Sequence, residues 1–184
     1  MSSIIDVRSL AKSFGGVTAV NGASFDIPEG SIVGLIGPNG SGKTTTLNLL
    51  NGVTPPDSGS IKVDGNELAG KSSTALVKAG ITRTFQNARV FTTITAIENL
   101  LIPVLHSSGL RSRWIEKAEG LLEFVGLSSH RDTPASELSG GQQKLLEFVR
   151  ALMTDPKVVL MDEPFAGVHP SVKEVMRERI QERN

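Results

Sequence analysis

The chain has 184 residues, of which 39% are hydrophobic and 21% charged, enough for one compact core but too few for two ordinary domains, and unlike a disordered chain. Lys+Arg and Asp+Glu both number 19, so no basic excess draws in nucleic acid or acidic lipid by charge alone. Cys is absent, which excludes disulfides and thiolate metal sites and fits a reducing compartment.

Ile4 to Leu10 and Ala23 to Ile27 alternate loosely and read as strands, joined across a Gly15-Gly16 turn and a middle strand near Val17 to Val20. Pro28-Glu29-Gly30 is a turn. Ile32 to Ile36 is a short apolar strand, followed by a glycine-rich loop and a helix from Thr44 to Leu50 that Gly52 should stop. Ile61 to Val63 is a strand ending in an Asp64-Gly65 turn. Ser72 to His130 reads as helical, broken around Arg83 to Phe91, with Trp114, Leu121, Leu122 and Val125 as an apolar stripe. Ser139 should cap a helix running to Met153. Val158 to Met161 is a fully apolar strand suited to a parallel sheet, and Val172, Val175, Met176 and Ile180 mark a last helix. The organisation expected is a single domain over 1–184, an α/β core interrupted by a helical insert at about 90–150. No apolar run approaches the ~20 residues of a bilayer span. Met1 to Asp6 lacks the basic start and apolar stretch of a signal peptide. A cytoplasmic chain is expected, reaching the inner face of the membrane only through a separate membrane protein.

Two segments carry chemistry. Gly37-Pro38-Asn39-Gly40-Ser41-Gly42-Lys43-Thr44 matches G-x-x-x-x-G-K-[ST]. Its glycines let several N–H groups turn inward around a phosphate, and the following helix adds its positive dipole end. Lys43 supplies a charge to the outer phosphates, and the Thr44 hydroxyl can join a Mg²⁺ shell. The four fixed positions match by chance in on the order of one in a hundred chains of this length, and the strand before and helix after make chance rarer still. Val158 to Glu163 puts two acids at the end of a buried strand, where parallel sheets present ligand residues. Asp162 could hold Mg²⁺ and Glu163 could polarise an attacking water. Taken alone, the pair reads equally well as solvated acids starting a turn before Pro164.

Leu138-Ser139-Gly140-Gly141-Gln142 read alone is a helix N-cap. It also matches the L-S-G-G-Q signature of ATP-binding cassette (ABC) ATPases, and it stands between a Walker A and a Walker B match in that family's order. The chain therefore resembles that family over nearly its whole length. The resemblance implies a P-loop NTPase fold with an N-terminal antiparallel β subdomain, a parallel-sheet core and a helical subdomain. It implies ATP and Mg²⁺ as cofactors, with Gly37 to Thr45, including Thr45, as the phosphate loop. Phe14 resembles the aromatic that stacks on adenine, although a core Phe at a strand end is the plainer reading. Gln86 looks like the Q-loop glutamine, serving catalysis and the metal together with Thr44 and Asp162. Ser139, Gly140, Gly141 and Gln142 would contact the γ-phosphate held by a second ABC subunit in a head-to-tail dimer, and Glu163 stands at the general base. Transmembrane permease subunits, and no nucleic acid, are the other partners implied.

Ser13 to Val20 and Ile81 to Phe91, with its R-T-F-Q-N run, are similar to the ATPases of branched-chain amino-acid uptake systems. Two departures stand out. His169 occupies the D-loop, as a surface histidine or a weakened dimer contact. None of the three histidines, His106, His130 and His169, follows the last helix, where the family has a further strand and a switch histidine. The expectation is thus a cassette lacking its C-terminal strands that hydrolyses ATP poorly on its own. A nucleotide-binding fragment without turnover, a soluble non-transport ABC ATPase and, more distantly, a P-loop kinase are the alternatives. A short helical stretch without sustained heptads argues against the soluble type.

Overall fold

A computed structural model describes residues 3–84 and 88–183. The chain divides into two compact units, one up to Thr82 and one from Arg83 onward.

In the first unit β1 (Ser3–Phe14) and β2 (Val17–Pro28) form one long antiparallel hairpin. The sequence suggested three shorter strands. The runs Val17 to Val20 and Ala23 to Ile27 form one strand, β2; at the turn before it Gly15 and Gly16 both take positive φ, the backbone that a two-residue hairpin turn of matching twist needs. β3 (Ser58–Val63) and β4 (Asn66–Glu67) complete a four-stranded sheet in the order β2-β1-β3-β4. Ile5 faces Val63 and Val7 faces Ile61 across β1 and β3. All four side chains are buried, and each such aliphatic contributes about 1.5–3 kcal/mol by leaving water. α1 (Lys43–Leu50) buries Thr46, Leu49 and Leu50. α2 (Ser73–Lys78) starts at Ser72, whose hydroxyl accepts the Ala75 N–H, and buries Leu76.

The strand expected over Ile32–Ile36 is not formed. This stretch has no regular secondary structure, and Ile36 is 91% exposed with Ile32, Val33 and Leu35 also at the surface. A strand that is apolar on both faces is held only between partners, and no described strand pairs with this one.

β5 (Ile81–Thr84), whose last two residues open the second unit, pairs with β6 (Val158–Met161). β5 reaches from the stretch read as helical into the break read around Arg83 to Phe91, so Ile81 and Thr82 are strand where helix was expected. Helices make up most of the rest: α3 (Ala96–Leu101), α4 (Arg111–Phe124), α5 (Gly140–Leu152) and α6 (Pro170–Arg183). Their apolar faces share one core that includes Leu100, Leu122, Leu146, Phe148 and Met176. Trp114 and Val125 belong to it too, as the stripe suggested. α3 opens with a reciprocal capping box between Thr95 and Glu98, which satisfies two N-terminal donors at once. No helix among the described residues is long and apolar enough to cross a membrane.

Candidate functional site

The site residues fall in both units, and each group is built by its own neighbours.

In the first unit the loop 37–41 is exposed and runs into α1. A tight turn, Ser41 N–H to the Pro38 carbonyl at 3.2 Å, folds it back. The Lys43 ammonium donates to the carbonyls of Gly37 at 2.8 Å and Pro38 at 2.9 Å. Lys43 thus arches over the loop that precedes it. Gly42 is the N-cap of α1 in a left-handed conformation, φ 88°, and no side chain caps the helix there. No acidic side chain stands in the first turn. The positive end of the helix dipole is therefore not offset by a capping or acidic side chain of its own first turn. Thr45 is half-buried in that first turn, Thr44 is exposed, and Thr46 ties back to the Gly42 carbonyl through its N–H (2.8 Å) and its hydroxyl (3.0 Å).

Gly42 cannot be anything else. A Cβ there would lie 2.2 Å from the Ala19 carbonyl oxygen of β2, on top of the φ penalty. Gly37 is less constrained, because a Cβ there would lie 2.6 Å from only the Ser41 hydroxyl, which can rotate away. Gly42→Ala is expected to destabilise the first unit by ~2–4 kcal/mol, the range of backbone clashes that cannot relax. A thermal melt that matches the wild-type chain would contradict this.

The close approach of Gly42 to Ala19 sets the start of α1 against β2, whose hairpin carries Phe14 at its tip. Phe14 is 50% exposed, which excludes the core reading and leaves a ring face for stacking. Lys12 lies 5.4 Å from its centroid. Lys12 in turn pairs with Asp57 at 2.6 Å, and the Ser13 N–H donates to the other Asp57 oxygen at 2.7 Å. These contacts fix the hairpin end, and the Lys12 hydrogen bond leads the causes that hold the Asp57 carboxyl below its ordinary range.

In the second unit Asp162 follows the last residue of β6 and is 8% exposed. Its Oδ2 accepts a hydrogen bond from the Arg83 guanidinium at 2.8 Å. Glu163 is exposed and holds a positive φ of 45°, a conformation that costs a non-glycine residue free energy and clusters at functional sites. The backbone turns there, with the Ala166 N–H on the Glu163 carbonyl at 3.0 Å. Gln86 lies outside the described residues.

Ser139 caps α5, and the cap is reciprocal. Its hydroxyl accepts the Gln142 N–H at 3.3 Å, while the Gln142 Oε1 accepts the Ser139 N–H at 2.8 Å. Gln142 Nε2 lies 3.1 Å from His130 Nε2. The plain reading of this segment as a helix cap therefore holds. The Ser139 hydroxyl hydrogen remains available to a phosphate oxygen. The two glycines differ. A Cβ on Gly140 would meet open space, whereas one on Gly141 would meet Val172 of α6 at 3.0 Å. His169 caps α6: its carbonyl accepts from Val172 and Lys173, and its Nδ1 lies 2.9 Å from the Ser171 hydroxyl.

Several polar residues of this unit escaped sequence reasoning. Lys144 and Glu147 are buried in α5. Burial pushes the Lys144 amine down, an effect that the Glu147 and Asp162 carboxylates oppose. Glu147 accepts the Arg89 N–H at 3.1 Å, and Arg150 donates to the Arg89 carbonyl. Asn99, fully buried in α3, accepts the Phe91 N–H at 2.8 Å and donates to the Phe91 carbonyl at 2.9 Å. Side chains of α3 and α5 thus pin the backbone just beyond the Q-loop position. The available signal was charge next to an apolar run, since Lys144 precedes Leu145 and Leu146, and Glu147 stands between these and Phe148 and Val149.

Residues 20–166 match the family described as ABC transporter. A probable branched-chain amino acid transport ATP-binding protein of Archaeoglobus fulgidus is 40% identical, over 97% of this chain and 74% of that protein. The crystal structure of an ATP-binding cassette of an ABC transporter in its ADP conformation superposes with a TM-score of 0.89 at 36% identity, over 99% of this chain and 77% of the other. A dimeric ATP-binding cassette in a post-hydrolysis state, bound to ADP and Pi, gives a TM-score of 0.83 at 25% identity, over 96% and 81%.

Proposed function

The chain belongs to the ABC transporter family of ATP-binding cassettes, and on that footing we propose that it is the ATP-hydrolysing subunit of a system that takes up branched-chain amino acids. The observation that carries the nucleotide role is the loop 37–45, arched over by Lys43 and opening onto the uncapped start of α1. The observation that favours the amino-acid cargo is the name shared by relatives in Archaeoglobus fulgidus and Pseudomonas aeruginosa.

In this reading the loop N–H groups and Lys43 hold the β- and γ-phosphates, and Phe14 stacks on the base. Thr44, Asp162 and Gln86 offer a hydroxyl, a carboxylate and an amide oxygen. Each is an oxygen donor of the kind Mg²⁺ accepts, an ion that ordinarily takes one or two carboxylates and completes its shell with phosphate oxygens and water. A cation held by them would neutralise charge developing on the phosphates. Glu163 accepts a proton from the attacking water. Ser139 to Gln142 close over the nucleotide of a second ABC subunit arranged head to tail, so the γ-phosphate becomes part of the joint and its loss reopens it. Permease subunits in the membrane convert that opening and closing into transport, with the cassette on the cytoplasmic side.

Deleting the coding sequence in its host should abolish high-affinity leucine, isoleucine and valine uptake, and the wild-type gene should restore it. Undiminished uptake would dismiss the cargo assignment.

A further inference from the structure

The carboxylate assigned to the cation already has a cationic partner. Arg83 Nη2 sits 2.8 Å from Asp162 Oδ2, and the two side chains are only 5% and 11% exposed. The pair is not a surface ion pair. β5 and β6 lie side by side, and Arg83 on the first reaches the acid that follows the second. Lys144 from α5 adds a second positive charge felt by the same carboxylate. A buried carboxylate stripped of its partner is strongly destabilised, so the acid needs a cation at all times. An incoming divalent ion therefore competes with a guanidinium already in place.

We propose that Arg83 is a positioning residue that compensates Asp162 until the divalent cation arrives with the nucleotide, and that yielding this pairing sets how tightly the cation is held. The inference rests on the proposed role of Asp162. It gives the R of the R-T-F-Q-N segment a task separate from that of Gln86.

The test is Mn²⁺ titration, read by electron paramagnetic resonance, of the 184-residue chain saturated with ADP. ADP affinity in excess EDTA is measured in parallel. Arg83→Gln is expected to tighten Mn²⁺ by ~10-fold or more, the scale set by removing one unit charge beside a divalent ion in a partly buried site. ADP affinity in EDTA should not move, which a merely structural role for Arg83 would not predict. Should Arg83→Gln fail to fold, Arg83→Lys carries the test, since its shorter arm and single ammonium loosen the pair and tighten Mn²⁺ by less. Unchanged or weaker Mn²⁺ binding in a folded Arg83 variant overturns the inference while leaving Asp162 in its role. Unchanged Mn²⁺ binding in Asp162→Asn overturns both.

Discussion

Lys43→Ala is expected to weaken binding of ATP and ADP by on the order of a hundredfold, the loss of one charge-assisted hydrogen bond to a phosphate. The same change releases the Gly37 and Pro38 carbonyls from the ammonium that now joins them, so the loop also loses its internal tie. Lys43 is only half-buried, and no core packing depends on it, so the unfolding transition should stay near that of the wild-type chain. Isothermal titration with each nucleotide checks the affinity and a thermal melt checks the fold. Wild-type affinity in a folded Lys43→Ala chain would mean that the loop is not the phosphate cradle.

Glu163→Gln is expected to abolish the steady-state hydrolysis that the wild-type chain shows, however slow, since a positioned general base usually contributes ~10²–10⁴. ATP affinity should remain within about threefold, since an amide of the same size still fills the position but cannot take the proton of the attacking water. The geometry separates the two acids of this segment. Asp162 is buried against Arg83, whereas Glu163 is exposed on a positive-φ turn. A side chain already engaged by a guanidinium is poorly placed to accept a proton. The exposed one, held in a costly backbone conformation, stands outside that pair. Phosphate release measured for Glu163→Gln and Asp162→Asn side by side distinguishes them. Equal rates for Glu163→Gln and wild type would move the base elsewhere.

Much of this was legible in the residue pattern, and the exceptions have physical causes. The hairpin turns at Gly15-Gly16 and Asp64-Gly65, the helix from Ser139 to Met153 and the strand Val158–Met161 are written in local chemistry: turn glycines, a capping hydroxyl, a β-branched apolar run. The run Ile32–Ile36 has equally strong strand chemistry, yet it stays irregular and exposed. Strand formation there depends on a neighbour, and propensity says nothing about neighbours. For Ser139 to Gln142, the cap was legible in the spacing of its two members, Ser139 and Gln142, which bond each other while a side chain at Gly140 would meet open space. The Arg83–Asp162 pair joins residues 79 apart in sequence, so no local pattern could announce it. His169 drew attention as a departure, and its observed place is the cap of α6.

The absence of cysteine makes one experiment unusually clean. Ser41 is exposed in the phosphate loop, and a side chain added at Gly140 would meet open space. A chain carrying Ser41→Cys and Gly140→Cys on the Glu163→Gln background, mildly oxidised with ATP and Mg²⁺, should give a covalent dimer that vanishes when nucleotide is withheld. Mass analysis should find the thiol introduced into the phosphate loop of one copy joined to the thiol introduced into the signature segment of the other. A covalent product that forms equally well without ATP, or none at all under saturating ATP, would contradict the claim that each copy's signature segment closes over its partner's nucleotide.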